Sequence, residues 1–151
     1  MTKTINFRDM DLIKSLEKIK LVINIPCFNE EKTLLLVLSE LPKRIEGIDV
    51  IEVQIVDDGS TDGTIEVAQS FGVTRIIRHK KNKGLGTAFK HGMQVALENG
   101  ADVFVNTDAD NQYPSRYIKD LVKPIINHQA DVVIGNRRPW KVKHFSPLKR
   151  G

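Results

Sequence analysis

Short apolar runs alternate along this chain with amphipathic stretches of helical period, and Pro, Gly and acidic residues punctuate the joins. The first periodic stretch, residues 7–19, spaces Phe7, Met10, Ile13 and Leu16 at helical intervals behind Asn6, a suitable N-cap. It predicts a leading helix within residues 1–20, whose stripe packs on the domain edge or docks on a membrane or partner. Leu21-Val-Ile-Asn-Ile25 predicts a buried strand that stops at Pro26. Asn29-Glu30-Glu31 then opens a helix with cap chemistry and early acids, its stripe formed by Leu34, Val37, Leu38 and Leu41. A second strand over residues 51–56 runs into Asp57-Asp58-Gly59-Ser60-Thr61-Asp62-Gly63, a turn and cap for a helix with Ile65, Ala68 and Phe71 inward. Residues 73–78 predict a third strand. Residues 84–99 predict a helix carrying Ala88, Phe89, Met93, Ala96 and Leu97, stopped by Gly100. A fourth strand rises through Val103-Phe-Val-Asn-Thr107. Pro114 opens a helix with Tyr117, Ile118, Leu121, Ile125 and Ile126, in which Pro124 predicts a kink or early break. Residues 130–135 predict a last strand.

Strands alternating with helices of this length imply crossover units, hence an α/β fold with a Rossmann-like, mostly parallel sheet flanked by helices. At 151 residues one domain is expected, covering residues 21–151 behind the leading helix. Net charge of +4 favours an anionic ligand and is too weak to indicate nucleic acid. The charge is uneven: from Arg137 to Arg150 there are six Lys or Arg and no acid. Cys27 is the only cysteine, which excludes an internal disulfide or a cysteine-based zinc site and suits a reducing cytoplasm. The N-terminus lacks an apolar signal core, and no run approaches the roughly 18 apolar residues of a span. Membrane contact is therefore expected to be peripheral, or to lie in sequence beyond this chain.

The fourth strand delivers the most suggestive chemistry, Asp108 and Asp110. Residues i and i+2 of a strand share a face, and open α/β sheets bind ligands at the carboxyl ends of their strands. Mg²⁺ commonly takes one or two carboxylates plus substrate phosphates, so the pair points to a metal-diphosphate site, against the plainer reading of a solvated acidic loop. Pro26-Cys27-Phe28-Asn29-Glu30 and Asp57-Asp58 occupy the same kind of position, and converging carboxylates are costly without a cation or hydrogen-bond donors. Asp57 and Asp58 equally suit turn chemistry, and Glu30 equally suits a first-turn acid on a helix dipole. Gly84-Leu-Gly-Thr-Ala-Phe89 fails as a dinucleotide fingerprint, because Phe89 holds the third glycine position and the segment follows the third strand. Its glycines are expected to let a loop approach a ligand or to tighten a helix start. Lys80, Lys81 and Lys83 form a solvated face or face a phosphate. His79, His91, His128 and His144 show no metal spacing and read as surface or core residues, and Cys27 as a small packing residue. Arg137-Arg138 is a solvated pair or a fork for phosphate oxygens.

Taken in order, Ile25-Pro-Cys-Phe-Asn-Glu-Glu31, Val56-Asp-Asp-Gly-Ser-Thr-Asp-Gly-Thr64, Asn82-Lys-Gly-Leu-Gly-Thr-Ala88, Asp108-Ala-Asp-Asn-Gln112 and Asp131-Val-Val-Ile-Gly-Asn-Arg137 resemble the family 2 glycosyltransferases of the GT-A fold. The likeness is nearest to the dolichyl-phosphate mannosyltransferase and polyprenyl-phosphate glycosyltransferase branch, where a later Ser-Pro-x-Lys-Arg like Ser146-Pro-Leu-Lys-Arg150 is typical. The resemblance implies that Pro26, Phe28 and Glu30 line a nucleotide pocket and that Val56 and Asp58 contact base and ribose. It places Ala109 between the acids on the nucleotide-sugar. It further implies that Asp108 and Asp110 hold Mg²⁺ or Mn²⁺ on the diphosphate with help from Gln112, and that Arg137 and Arg150 meet phosphate groups near the acceptor. Phe28 stands where the family usually has Tyr, which keeps a ring and removes a hydroxyl. Family members run further, so the chain reads as a truncated, N-terminal, donor-binding portion.

The implied reaction is metal-dependent, inverting transfer of a sugar from a GDP- or UDP-sugar, with metal and arginine stabilising the leaving diphosphate. A polyprenyl phosphate acceptor needs no general base, and none is visible beyond the donor-site acids. That mildly favours such an acceptor and a place at the cytoplasmic face of a membrane. Two other readings stand beside it. A nucleotidyltransferase would place a Gly-rich basic loop where residues 26–31 lie, and a nucleotide-sugar-binding subunit would bind without turnover.

Overall fold

The computed structural model describes Thr4 and residues 6–135, apart from the side chains of residues 14–16. Its elements run α1 (Phe7–Leu16), β1 (Lys20–Cys27), α2 (Leu34–Glu40), β2 (Val50–Asp57), α3 (Thr64–Phe71), β3 (Arg75–Arg78), α4 (Leu85–Glu98), β4 (Val103–Asn106), a 3₁₀ turn (Ser115–Tyr117) and α5 (Ile118–Ile126). The four strands form one parallel sheet in the order β3-β2-β1-β4. The strand order therefore switches direction beside β1, where the carboxyl ends of β1, β2 and β4 open a crevice.

Alternation along β1 divides the sheet into two unlike faces. Leu21, Ile23, Ile25 and Cys27 join Leu34, Val37, Leu38, Ile55, Ala68, Ile118 and Val122 in the apolar core. Each fully buried aliphatic side chain there contributes about 1.5–3 kcal/mol. The opposite face, under α4, is polar at its centre. Gln54 Nε2 donates to Asn24 Oδ1 and to the Gly92 carbonyl, both at 2.8 Å, and Asn24 Nδ2 donates to Asn106 Oδ1 at 2.8 Å. Gly92 permits this close approach, since a Cβ there would lie 2.4 Å from Asn24 Oδ1. At the amino end of the sheet, Glu52 of β2 bonds Lys20 of β1 at 2.8 Å and Arg75 of β3, clamping three strands. These two ion pairs hold the Glu52 carboxyl below its ordinary value although burial pushes it up.

The α/β expectation holds, with corrections at particular elements. Residues 131–135 form no strand: Val132 and Ile134 are 77% and 88% exposed, and Gly135 lies against Tyr113 and Leu121. An apolar run becomes a strand only with a hydrogen-bonded neighbour, and these residues pair with none among those described. The leading helix is capped as expected, Asp9 N–H donating to Asn6 Oδ1 at 2.9 Å. It does not pack on the domain edge: Phe7, Met10, Leu12 and Ile13 are 49–88% exposed. Phe71 and Leu97, expected inward, lie exposed at the last turns of α3 and α4. Helix α5 passes through Pro124 and ends two residues later at Ile126. Asp108 and Asp110 lie in a turn beyond β4 rather than on the strand itself.

Candidate functional site

The crevice at the carboxyl ends of the strands is a cleft of about 330 Å³. Pro26, Cys27, Phe28 and Glu30 line it after β1, Asp58 after β2, and Asp108, Ala109 and Asp110 after β4. Asn82, Gly84, Leu85 and Ala88 close it from the start of α4. Most of the residues singled out for donor binding are thus brought together. Val56 is not: its side chain is fully buried in the sheet and does not line the cleft. Gln112 stands beside the lining, its N–H donating to Asp110 Oδ1 at 3.0 Å. Arg137 and Arg150 lie outside the described residues.

Asp58 is almost fully buried and accepts three bonds within the protein. Its Oδ1 takes His79 Nδ1 at 2.7 Å and Lys83 N–H at 2.9 Å, and its Oδ2 takes Gly84 N–H at 2.9 Å. Burial pushes this carboxyl up, but the three donors outweigh it and hold the group below its ordinary value. Oδ2 accepts this one bond among those found in the described residues, and Asp58 is one of the residues that line the cleft. Gly84 takes φ 95°, a conformation that costs a glycine little, and this aims its N–H at Asp58. Of the two expectations for these glycines, the helix start is the one seen: Gly84 stands at the start of α4, and Lys80, Lys81 and Lys83 are exposed beside it. Asp57, by contrast, is wholly buried, and among the described residues its carboxylate has the Arg78 guanidinium at 3.9 Å and no hydrogen bond.

The loop after β1 is tied to the loop after β2 by Asn29, which sits in the left-handed region at φ 53°. Its Oδ1 accepts from Thr61 N–H at 2.8 Å and Asp62 N–H at 3.3 Å, and its own N–H donates to Ser60 Oγ at 2.9 Å. Asn29 therefore staples two loops instead of capping α2, whose helical bonds begin at the Glu30 carbonyl. Glu30 N–H donates to Thr64 Oγ1, and Gly63 N–H donates to Glu31 Oε2, both at 2.9 Å.

On the acidic side, Thr33 Oγ1 lies 2.7 Å from the Ala109 carbonyl and 2.9 Å from Glu30 Oε2, linking the Asp108–Asp110 turn to α2. The Glu30 carboxyl is pushed above its ordinary value, first by burial and then by the charges of Asp110, Asp62 and Asp108, against the lowering pull of Thr33. A cation beside Asp108 and Asp110 would relieve the part of this shift that comes from their charges. Among the described residues no three His, Cys, Asp or Glu side chains converge as a closed metal cage. Two carboxylates at the mouth of a cleft instead fit a hard divalent cation that completes its oxygen shell from a diphosphate. Cys27 is buried, and burial together with Asp57, Glu30 and Asp62 drives its thiol far up, which leaves it an inert packing group as expected.

Sequence reasoning missed His79 and His91. His79 Nε2 lies 2.9 Å from His91 Nδ1, behind the His79–Asp58 bond. Strand register carried a signal for the first of these: Asp57 pairs with Arg78, so the next residues, Asp58 and His79, leave the sheet side by side.

Comparison with known proteins places these features among relatives. Residues 22–148 match the model of the family described as Glycosyl transferase family 2. The chain is 33% identical over 144 residues to the UDP-N-acetylglucosamine–dolichyl-phosphate N-acetylglucosaminyltransferase of Methanococcus voltae, with 83% of this chain and 56% of that protein covered. It is 36% identical over 121 residues to the dolichol-phosphate mannosyltransferase of Pyrococcus furiosus, covering 78% of this chain and 33% of that protein. The chain thus spans about half or less of the length of these relatives. Among solved structures, glucosyl-3-phosphoglycerate synthase from Mycobacterium tuberculosis, in complex with Mn²⁺, UDP and glucosyl-3-phosphoglycerate, shares the fold. The TM-score is 0.57 at 22% identity, covering 83% of this chain and 46% of that one.

Proposed function

The chain belongs to glycosyl transferase family 2, and on that premise we propose that it is the donor-binding part of a glycosyltransferase. In this reading it takes a GDP- or UDP-sugar and passes the sugar, with inversion, to a polyprenyl or dolichyl phosphate. The observation that carries the proposal is the convergence of Pro26, Phe28, Glu30, Asp58, Asp108, Ala109 and Asp110 on one cleft. Both named relatives act on dolichyl phosphate by their names, which supports the acceptor class.

The Phe28 ring, 45% exposed at the cleft, offers a face on which a base can stack. Asp58 offers the remaining acceptor position of Oδ2 to a base or ribose donor while its other bonds fix the Lys83–Gly84 backbone. Asp108 and Asp110 would hold Mg²⁺ or Mn²⁺ on the diphosphate, with Gln112 steadying Asp110 through its N–H. The metal, when bound, supplies charge stabilisation to the departing nucleoside diphosphate. Arg137 and Arg150, outside the described residues, are assigned the acceptor and leaving phosphates. The basic stretch they bound suits an anionic lipid surface, where each such residue is worth about 1 kcal/mol. No helix among the described residues is long and apolar enough to cross a membrane. In this reading the chain meets the membrane peripherally, at its cytoplasmic face.

Titrating the chain with UDP and GDP in Mn²⁺ or Mg²⁺, then in chelator, tests the reading. Binding that requires the metal is expected, and equal affinity in chelator refutes the metal-diphosphate site. Sugar transfer from labelled GDP- or UDP-sugars to polyprenyl phosphate, by this chain and by a version extended downstream, tests the acceptor.

A further inference from the structure

We propose that His79 and His91 form a proton-coupled relay behind Asp58, the carboxylate that holds the Lys83–Gly84 loop, and make nucleotide binding depend on pH. The inference rests on the nucleotide reading of the cleft, and its geometry stands apart from that reading. Asp58, His79 and His91 form an unbroken line of contacts, at 2.7 and 2.9 Å, from a buried carboxylate to a half-buried ring on α4. The two imidazole planes lie within 2° of each other with centroids 5.2 Å apart, so the rings meet edge to edge through Nε2 and Nδ1.

This geometry constrains the protons. Asp58 can only accept while ionised, so His79 Nδ1 carries a hydrogen and donates it. A neutral His79 then has a lone pair on Nε2, and His91 must donate from Nδ1. A further proton enters at His91 Nε2. The His91 Nδ1 hydrogen can then pass to His79 Nε2, leaving His91 neutral with its hydrogen on Nε2 and His79 as imidazolium against Asp58. Every hydrogen bond survives this transfer, and positive charge has moved inward to the carboxylate that holds Lys83 N–H and Gly84 N–H.

The charged groups around the pair are few. Asp57 and Asp58 end β2, Arg78 ends β3, Lys80, Lys81 and Lys83 occupy the loop, and Lys90 precedes His91 on α4. Of these, Asp58 alone has a hydrogen bond to either ring among those found in the described residues. Glu52, Arg75 and Lys20 stand at the other end of the sheet. A nucleoside diphosphate is strongly anionic, so it binds the protonated relay more tightly. By reciprocity the bound nucleotide draws a proton onto the relay.

The test combines two measurements on the full chain. Nitrogen-15 NMR of the imidazoles across pH reads tautomers and titration without nucleotide. Calorimetry with UDP and with GDP, in constant Mn²⁺, reads affinity over the same range. The wild type is expected to bind more tightly as the pair protonates, by roughly fivefold or more. His91→Gln can still bond His79 Nε2 but cannot titrate, and it is expected to flatten that rise. His91→Phe removes the bond and is expected to weaken binding at every pH. Because all variants see the same ionisation of the nucleotide phosphates, the difference between profiles isolates the relay. Identical pH profiles for wild type and His91→Gln overturn the proposal. A His79 titration unmoved by His91→Gln overturns the relay itself. No binding of either nucleotide at any pH overturns the nucleotide link and the donor-site reading together, while the NMR result on the relay stands alone.

Discussion

The two rims of the cleft are built to different standards. On the β2–β3 rim, Asp58 gathers His79, Lys83 and Gly84, while Asn29 and Glu31 staple the neighbouring loop through Thr61, Asp62 and Gly63. On the β4 rim, Asp108 and Asp110 sit in a turn after a four-residue strand that pairs only with β1 among the described residues. The turn is tied back by Thr33 to Ala109 and, within itself, by the Gln112–Asp110 bond at 3.0 Å. Asp108 also borders a second, larger cavity of about 590 Å³ against residues 131–135. One rim is built on a carboxylate that gathers three donors, and the other brings several acids together where a bound cation would be welcome. Preorganisation at the first end leaves less ordering cost for the ligand at the second.

The largest expected effect breaks the ordered rim. Asp58→Ala leaves three donors without their shared acceptor in a buried place, and a loss of about 2–4 kcal/mol in unfolding free energy is expected. Urea unfolding measures it, and an unchanged midpoint would reduce Asp58 to a ligand contact alone. The carboxyl's depressed titration gives a second reading. Its stabilisation is present above the ordinary carboxylate value and is lost as pH falls through the lower folded value. Acid unfolding of Asp58→Asn should therefore converge on that of the wild type at the lowest pH, and a constant gap would deny the linkage.

Breaking the other rim should act on binding and hardly on folding. Asp110→Ala removes one of two proposed metal carboxylates, and metal-dependent nucleotide affinity is expected to fall by at least the roughly 10–100-fold seen when metal sites lose an outer-shell partner. Thermal stability without ligand is expected to hold, because Asp110 accepts a single described bond from a near neighbour. If stability collapses while affinity persists, the comparison between the rims is the wrong way round.

A smaller change sharpens the contrast within the ordered rim. Asn29 contributes both a left-handed backbone and a stapling side chain. Asn29→Gly keeps the first and loses the second, whereas Asn29→Ala loses both, the left-handed conformation costing a further 1 kcal/mol or about that. Alanine is therefore expected to destabilise more than glycine, by calorimetric melting. Equal losses would mean that the backbone carries no strain.

How much of this was legible beforehand follows from what each feature depends on. Runs such as Leu21-Val-Ile-Asn-Ile25 announce a buried strand locally, and small or acidic residues after each strand announce the site, so the parallel sheet and the cleft residues could be read in order. Features that depend on a partner distant in sequence could not. The pairing of His79 with Asp58 spans 21 residues and that of Asn24 with Asn106 spans 82. Apolar patterning also misled: Val132 and Ile134, and Phe7, Met10, Leu12 and Ile13 of α1, are apolar and lie exposed. Asn29 and Glu30 looked like helix-start chemistry because the residue types that cap helices also staple loops.

The smallest expected effect tests the acid cluster through Glu30. Glu30 is pushed up by burial and by Asp110, Asp62 and Asp108, the reverse of Asp58. A carboxyl whose folded value is raised penalises the native state while it is ionised, and the penalty lifts as pH falls and the native state takes up the proton first. Glu30→Gln removes the charge and keeps a group that can bond Thr33 Oγ1, the same hydroxyl that reaches the Ala109 carbonyl. At neutral pH the variant is therefore expected to melt slightly higher than the wild type in the absence of metal. The two curves should converge on acidification through the ordinary carboxylate value, below which Glu30 is protonated in both states. Mn²⁺ with UDP or GDP should also shrink the gap, because a cation on Asp108 and Asp110 offsets the repulsion that raises Glu30. A variant that melts lower than wild type at neutral pH would show that the Thr33 contact needs the carboxylate. A gap that ignores the metal would place the cation elsewhere than between these acids.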